Sequence, residues 1–314
     1  MKIARSLSEM DRNPRSVVTV GSFDGVHIAH RQIIDDVVRR SVASHGRSVV
    51  VTFDPHPSEV VPTKGRVGCL TTLDERIVLI ERLSIDLLYV IPFTQQFSQL
   101  TSREFYQRYV VDHIGVDEVV VGYDHMFGHN REAGVQELVG IGHELGFRVH
   151  STPAVTIDGL TVSSTEIRAA LKAGDVARAR TMLGYPYSIS GTVVAGDGRG
   201  KTLGYPTANI EPLSKKKSVP GQGVYLAGVQ LGRDDFYGMM NIGVRPTVMN
   251  GGRQTLEVHI FDLDRDIYGS TITVSFLQKL RDERKFSSLE ELAVQLAQDK
   301  QTSMDQITKH IRRS

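Results

Sequence analysis

The first half of the chain alternates apolar, β-branched runs with stretches of helical periodicity, and few folds accommodate that alternation. The apolar runs lie at 17–20, 49–52, 87–91 and 119–121, with a weaker one near 147–150. Helical stretches separate them near 28–44, 72–83, 102–114 and 134–145. Strands separated by helices of this length predict βαβ units and a parallel sheet covered on both faces. We therefore expect an α/β domain whose ligands bind beyond the carboxyl ends of its strands.

The pattern changes near residue 185. Two short helices are predicted at 165–173 and 176–183, and Gly184 closes the second. Beyond them, short runs of alternating polarity are separated by Gly, Pro and Asp-Gly, at 188–194, 224–229, 236–242, 255–261 and 271–276. This pattern predicts a compact antiparallel β-barrel, and a last helix at 288–298 would cover one open end. We therefore predict two domains, 1–185 and 186–314.

The composition limits the environment and the partners. A chain of 314 residues is long enough for two domains. The net charge of +1 gives no electrostatic footprint for nucleic acid or an anionic membrane. Cys69 is the single cysteine, so an internal disulfide is impossible. We expect a cytoplasmic protein with neither nucleic acid nor a membrane as partner, and the sequence leaves the oligomeric state open.

Two histidines follow the first apolar run, where the predicted strand turns into a predicted helix. His27 and His30 are three residues apart, which makes them neighbours on a helix. The first helical turn also offers free N–H groups and the positive end of the helix dipole. Gly21 and Gly25 permit a close approach of backbone to ligand. The arrangement favours a polyphosphate site, although a polar helix face would also place two histidines in this way.

Two later segments of the first half carry polar groups suited to a nucleotide. Asp124 follows the fourth apolar run and could accept from a ribose or base or help to hold a metal, but a turn residue often bonds its own backbone. Ser163 and Glu166 fit a capping box, which explains both as a helix start. Arg168 does not fit that explanation, because a cation in the first turn faces the positive end of the dipole. An anion beside Arg168 would account for it.

The second half has a separate glycine loop. Gly198, Gly200 and Lys201 could wrap phosphates, although an Asp-Gly hairpin explains the same loop. Thr207 and Asn209 are two apart in an extended segment and therefore point the same way. Their neutral oxygens suit Mg²⁺, which takes most of its charge balance from substrate phosphates. These residues predict a second phosphate site, distinct from the first.

Taken in order, these segments resemble the motifs of the bacterial bifunctional riboflavin kinase/FAD synthetase family. Residues 21–30 are similar to its Gly-x-Phe-Asp-Gly-x-His-x-Gly-His pattern, with Ala29 in place of the last glycine. Residues 121–128 and 163–168 resemble two further nucleotidylyltransferase motifs, with His125 where a phenylalanine is usual. The run 204–209, Gly-Tyr-Pro-Thr-Ala-Asn, closely resembles the kinase motif, and similar segments follow at 223–225, 241–247, 257–259 and 276–283. The resemblance covers about residues 16 to 300.

The resemblance implies a fold and two reactions. The first domain would be a Rossmann-like nucleotidylyltransferase with a parallel sheet, and the second an antiparallel β-barrel riboflavin kinase with a terminal helix. The kinase would transfer the γ-phosphate of ATP to riboflavin and give FMN. The nucleotidylyltransferase would join FMN to the adenylyl group of a second ATP, giving FAD and pyrophosphate. Riboflavin, FMN and ATP would be the partners, and Mg²⁺ with ATP the cofactor.

The resemblance also implies roles for individual residues. His27, His30 and Arg168 would stabilise the transferring group, and Glu257 would be the general base of the kinase, although an exposed strand glutamate could simply pair with a nearby cation. The predicted ATP contacts are Gly21, Phe23, Asp24, Asp124, Ser163 and Ser164 in the first half and Gly198, Gly200 and Lys201 in the second. Flavin contacts are predicted at Asp54, Pro55, Pro57 and Arg281, and Mg²⁺ ligands at Thr207 and Asn209.

Two other functions remain open at this point. The departures at Ala29 and His125 are compatible with a riboflavin kinase whose adenylyltransferase is weakened or lost. A non-catalytic flavin- or nucleotide-binding module is the third reading, and it is disfavoured because both catalytic sets are present. Incubation with riboflavin and Mg·ATP separates the three: FAD, FMN alone, or unchanged riboflavin.

Overall fold

The computed structural model describes residues 1–61, 68–126, 134–196, 200, 203–245 and 253–311. The chain divides into two compact units, Met1–Glu166 and Ile167–Ser314. The division falls before the predicted boundary at 185 and assigns the helix that follows Asp175 to the second unit. That residues 186–314 fold on their own stays a prediction.

The first unit is built on a parallel sheet of six strands, as predicted. The strands are β1 (Lys2–Ala4), β2 (Ser16–Val20), β3 (Arg47–Asp54), β4 (Leu87–Pro92), β5 (Glu118–Gly122) and β6 (Arg148–Thr152). Their order in the sheet is β1-β4-β3-β2-β5-β6. The four inner strands, β2 to β5, are buried along most of their length, and their sequences are therefore nearly continuous apolar runs. β1 was not predicted, since three residues carry no periodicity.

Helices connect these strands. They are α1 (Ile28–Ala43), α2 (Pro57–Val60), α3 (Leu73–Glu81), α4 (Ser102–Phe105, continuing as a π-helix over Tyr106–Ile114) and α5 (Val135–Leu145). Single 3-10 turns lie at Leu7–Glu9 and Phe97–Gln99. A small hairpin of β7 (Thr156–Ile157) and β8 (Leu160–Thr161) precedes α6 (Ser164–Lys172). The predicted helices are present, with ends that differ by a few residues.

The strand order positions the first site. From β2 the chain winds outward to β3 and β4 on one side, then returns to place β5 and β6 on the other. Such a reversal leaves a crevice at the carboxyl ends of the two strands where the winding changes direction, here β2 and β5. The segments beginning at Gly21 and Gly122 follow these two strands directly. The sheet therefore brings both predicted nucleotide segments to one edge.

The second unit contains the predicted barrel. Its strands are β9 (Ser188–Val194), β10 (Ala208–Pro212), β11 (Gly223–Leu231), β12 (Asp234–Arg245), β13 (Arg253–Ile260) and β14 (Thr271–Arg281). Neighbours are antiparallel, and the barrel closes in the order β10-β13-β12-β11-β14-β9. The helix α7 (Val176–Leu183) packs against β14. β10 includes Asn209 in the segment that was predicted to be extended.

The terminal helix α8 (Leu289–Ile311) is longer than the predicted 288–298. Residues 298–303 are all polar, so the apolar periodicity that predicts the helix stops before its true end. In the structure Asp299 and Ser303 are nevertheless buried, and Ile307 belongs to an apolar cluster with Val224 and Phe261. Contacts with β12 and β14 hold this helix on the barrel.

Candidate active sites

The two predicted histidines lie together at the start of α1. His27 is its N-cap, and its Nδ1 accepts a hydrogen bond from the His30 amide at 3.3 Å. The rings stack with centroids 3.5 Å apart and planes 17° apart. Burial, then His27 and Arg76, lowers the pKa of His30 well below its ordinary value. The ring of His30 is therefore neutral at pH 7, and its buried Nδ1 has no hydrogen-bond partner among the described residues.

Asp24 shapes the loop that precedes these histidines. Its side chain is fully buried, and its carboxylate accepts hydrogen bonds from the amides of Leu70 and Thr71 and from the Thr71 hydroxyl at 2.9–3.2 Å. The Thr71 hydroxyl in turn accepts from the Gly25 amide at 2.9 Å. The Asp24 carboxylate is thus hydrogen-bonded within the protein. Its contact with ATP stays a prediction.

Phe23 lies in the same loop and packs against His30. It is buried, adopts a positive φ of 47° and meets the His30 ring edge-on at 5.2 Å. A Cβ on Gly21 would approach the Phe23 ring to 3.2 Å, so the glycine leaves room for this ring. Phe23 thus packs against the His30 ring, and the predicted contacts of Gly21 and Phe23 with ATP stay predictions.

Arg76 is a candidate site residue that the sequence analysis missed. It lies on α3, is 2 % exposed, and its Nη1 donates to the Thr52 hydroxyl at 2.9 Å and to the Phe53 carbonyl at 3.1 Å. The Thr52 hydroxyl donates to the Ser22 carbonyl at 3.1 Å. One buried cation thus ties the end of β3 to the loop before α1. Its position on the buried face of α3, four residues before Ile80, was the signal that could have identified it.

The predicted flavin segment follows β3. Asp54 is exposed, and Pro55 and Pro57 flank His56, which caps the short helix α2. Arg76 lies close enough to Asp54 and Asp24 for both carboxylates to raise its pKa, although burial, the largest effect, lowers it. The structure therefore places the predicted flavin turn beside a buried cation.

Residues from two more segments lie in the first unit. Ser164 Oγ donates to the Asp24 carbonyl at 2.9 Å, which fixes the start of α6 on the loop. The Glu166 amide donates to Ser163 Oγ at 3.2 Å, as the predicted capping interaction requires. Asp124 is exposed in the turn after β5, with its Oδ1 near Gly122. Arg168 lies on the part of α6 that belongs to the second unit, and its action with the histidines stays a prediction.

A further cavity of about 440 Å³ lies in the first unit, between α1 and the end of β6. Arg31, Gln32 and Asp35 line it from α1, and Ser151, Thr152 and Pro153 line it from β6. β6 neighbours β5, so this cavity opens at the same edge of the sheet as the two nucleotide segments. None of these residues was predicted from the sequence to belong to a site.

A cavity of about 400 Å³ marks the site in the barrel. Its lining includes Thr207, Asn241, Glu257, His259 and Arg281. A volume of this size is in the range of small-molecule sites. The lining combines polar groups with apolar side chains from Val224, Met239 and Leu296. The predicted base and one predicted Mg²⁺ ligand therefore face one shared space.

The strand register explains this convergence. Asn209 on β10 pairs with Glu257 on β13, which pairs with Asn241 on β12. Asn241 then pairs with Val224 on β11, and Val224 pairs with Arg281 on β14. Directly opposed residues in antiparallel strands point to the same face. Asn209 and Glu257 are therefore side by side, and Thr207 precedes Asn209 by the two residues that keep it on that face.

A second carboxylate lies near Glu257. Glu283 follows β14, and its Oε1 occupies space that a Cβ on Gly243 would overlap. Partial burial and the negative charge of Glu257 raise the pKa of Glu283, whereas Arg281 lowers it. The cavity lining therefore includes two carboxylates, Glu257 and Glu283, close enough for the charge of one to raise the pKa of the other.

Arg281 has a partner within the protein. Its guanidinium donates from Nε and Nη2 to the buried carboxylate of Asp299 at 2.8–3.0 Å, and its carbon lies 5.6 Å from the Phe286 ring centroid. This pairing anchors α8 on the barrel. The predicted flavin contact of Arg281 stays a prediction.

The glycine loop is described only in part. Gly198 and Lys201 lie outside the described residues. Gly200 packs so closely under the Tyr205 carbonyl that a Cβ would overlap it, and the Asn209 amide packs in the same way on Gly196. Among the described residues, no group of three or more His, Cys, Asp and Glu side chains could hold a metal ion. A cation near Thr207 would rely on neutral oxygens and on substrate phosphates, as the sequence analysis expected.

No helix in the described part of the chain is both long and apolar enough to cross a membrane.

Comparison with known proteins assigns each half separately. Residues 9–166 match the family described as FAD synthetase, and residues 183–307 match the family described as riboflavin kinase. A bifunctional riboflavin kinase/FMN adenylyltransferase of Escherichia coli strain K12 is 38 % identical over 308 residues, 97 % of each chain. The enzyme of that name from Bacillus subtilis is 33 % identical and covers 94 % of this chain and 93 % of its own.

One solved structure is similar over nearly the whole chain. A crystal structure described as a macrolide-efflux protein from Streptococcus pneumoniae matches with a TM-score of 0.87 at 30 % identity, covering 96 % of this chain and 98 % of its own. Both units of the fold therefore occur together in another protein of similar length.

Proposed function

Because the chain belongs to the family of bifunctional riboflavin kinases/FMN adenylyltransferases, we propose that its barrel phosphorylates riboflavin to FMN and its α/β unit converts FMN to FAD. Both family matches and the near full-length relatives support this function. The observation that supports the kinase site most directly is the row Asn209–Glu257–Asn241 beside the barrel cavity. Riboflavin, FMN and ATP are then the substrates.

In the kinase reaction, the 5′-hydroxyl oxygen of riboflavin attacks the γ-phosphorus of ATP. The bond between this phosphorus and the β–γ bridging oxygen breaks, ADP leaves, and the hydroxyl proton passes to a carboxylate oxygen of Glu257. General-base assistance of this kind contributes about 100- to 10,000-fold. Much of the remaining acceleration comes from positioning and charge neutralisation.

The residues present fit Mg²⁺ bound together with ATP. Thr207 offers a hydroxyl and Asn209 an amide oxygen on one face, which are hard donors with no charge of their own. When bound, the ion supplies charge neutralisation for the transferring phosphate. Thr207 and Asn209 would hold it. The missing side chain of Gly200 accommodates the Tyr205 carbonyl, and its contact with the phosphates stays a proposal.

In the adenylyl transfer, a phosphate oxygen of FMN attacks the α-phosphorus of ATP. The bond from this phosphorus to the α–β bridging oxygen breaks, and pyrophosphate leaves. His27 and His30 at the start of α1 would donate hydrogen bonds to the oxygens that gain charge, together with Arg168. The free N–H groups of the first helical turn act in the same direction.

A kinase with an idle first domain is the second candidate, because Ala29 and His125 differ from the family pattern. Ala29 is the second residue of α1 and adds one methyl group near the predicted triphosphate. His125 Nε2 lies 3.5 Å from the Tyr106 hydroxyl, at the limit of a hydrogen bond. Neither change removes His27 or His30, so we favour the bifunctional enzyme.

The test is product formation from riboflavin and Mg·ATP, followed by chromatography of the flavins. We expect FMN and FAD from the wild type. The double variant His27→Ala/His30→Ala should stop at FMN, whereas Glu257→Gln should lose FMN formation yet still convert added FMN to FAD. The exposed residues His143 and Glu290 provide matched controls, as His143→Ala and Glu290→Gln. Equal loss of both activities in either site variant would contradict two separate sites.

A further inference from the structure

His259 joins the strand of the proposed base to the turn that precedes β10. Glu257 and His259 are two residues apart on β13, so they point to the same face, and both line the barrel cavity. His259 is 9 % exposed, and its Nδ1 lies 2.8 Å from the Pro206 carbonyl oxygen. The turn before β10 and the strand that carries Glu257 therefore meet at the His259 ring.

The Pro206 carbonyl fixes the tautomer of this imidazole. A carbonyl oxygen only accepts hydrogen bonds, so Nδ1 of His259 carries the proton. Burial, assisted by the charge of Lys300, lowers the pKa of His259, although the bond to Pro206 acts in the opposite direction. The ring is accordingly neutral at pH 7, with Nδ1–H as donor and Nε2 without a proton.

The turn held by His259 determines where Thr207 lies. The ladder between β10 and β13 pairs Ala208 with Val258, one residue beyond Thr207. On the other side, the Tyr205 amide donates to the Gly200 carbonyl at 2.9 Å, and the Tyr205 ring meets the His259 ring edge-on at 5.2 Å. Between these two attachments, the bond from His259 to Pro206 links the turn to β13.

We propose that His259 is a positioning residue for phosphoryl transfer, which sets the phosphate-binding turn at Thr207 in register with the base Glu257. The inference rests on the proposed kinase function. Its role requires a donor at the place of Nδ1, because Pro206 presents only an acceptor there. Displacement of a substrate-positioning group by about 1 Å costs on the order of 100-fold in rate.

Two substitutions separate the two ring nitrogens. Asn carries its amide nitrogen about where the imidazole has Nδ1, whereas the longer Gln places it near Nε2. We expect His259→Asn to keep kinase kcat within about fivefold of the wild type, the cost of a modest change in one hydrogen bond. We expect His259→Gln to lower kcat by about 100-fold. Conversion of FMN to FAD, measured in the same preparations, should stay unchanged in both.

A binding measurement accompanies the rates. Quenching of riboflavin fluorescence, titrated with Mg·ADP, reports the assembled site without turnover. His259→Gln should need about tenfold more Mg·ADP for half-maximal quenching, whereas His259→Asn should resemble the wild type. Equal effects of the two variants on kcat and on quenching would overturn the proposal. If the wild type forms no FMN at all, the kinase function itself fails, which is a distinguishable result.

The wild-type protein offers a test that needs no variant to fold. Nitrogen-15 spectra of protein labelled at histidine distinguish a protonated ring nitrogen from a bare one. The His259 signals are assigned by their loss in His259→Asn, or by their proximity to Tyr205 protons if that variant is unstable. We expect a protonated Nδ1 and a bare Nε2 at pH 7, and the opposite tautomer would overturn the inference.

Discussion

Replacing Asp24 by Asn tests whether this carboxylate supports the loop of the first unit or serves the nucleotide. The donors described for it include the amides of Leu70 and Thr71 and the Thr71 hydroxyl. Hydrogen bonds to a charged group contribute about 1.5–3 kcal/mol and neutral ones about 0.5–1.5 kcal/mol. Loss of the charge therefore costs about 1 kcal/mol for each bond, and the free energy of unfolding of the first unit should fall by about 3 kcal/mol.

The assay is urea unfolding followed by hydrogen exchange, read by mass spectrometry on peptides covering 21–34 and 70–80. Both peptides should exchange faster in Asp24→Asn, because the carboxylate joins them. The exposed Asp112, changed to Asn, is the matched control and should leave both unchanged. Unaltered stability of Asp24→Asn, combined with a large loss of ATP binding, would refute this reasoning and favour direct contact with the nucleotide.

Three further predictions concern other parts of the chain. The pKa of His30 is lower in the folded than in the unfolded state, so the unfolded state takes up the proton first as the pH falls. The first unit should therefore lose stability below about pH 6.5. His30→Gln should flatten this dependence of the unfolding free energy on pH. Ala29→Gly should lower the apparent KM for ATP in FAD synthesis and leave FMN formation unchanged; a changed FMN rate would contradict it. The fragment 186–314 should fold and phosphorylate riboflavin, but circular dichroism melts should show it to be less stable than 167–314 by about 5 kcal/mol. The reason is that three larger side chains of α7 are buried in the longer fragment. Equal stability of the two fragments would contradict this.

Much of the fold follows from sequence patterns, for a physical reason. Parallel strands buried on both faces must be apolar and β-branched, so β2, β3, β4 and β5 were visible as runs. β1 has three residues and the β7–β8 hairpin has strands of two, which is too short for any periodicity to develop. The end of α8 was missed because its buried Asp299 and Ser303 interrupt the apolar face.

The site was less predictable than the fold. Residue spacing located the histidines and the two segments at the strand ends, because these depend on local geometry, whereas Glu257 was identified only from the family resemblance. It could not show which charges find partners inside the protein. Asp24 bonds Leu70 and Thr71, and Arg281 bonds Asp299, at sequence separations of 18 or more. Arg76 escaped notice for the same reason, since its role depends on where β3 lies relative to α3.

The cross-strand row in the barrel has an evolutionary consequence. Asn209, Glu257, Asn241, Val224 and Arg281 stand next to one another through four successive strand pairings. A shift of one residue in any of these strands turns its side chains to the opposite face. Insertions and deletions should therefore be excluded from the strands between these positions and the nearest turn, and confined to the loops. In related enzymes the barrel loops should therefore vary in length, whereas the number of residues from each row residue to the end of its own strand should stay constant.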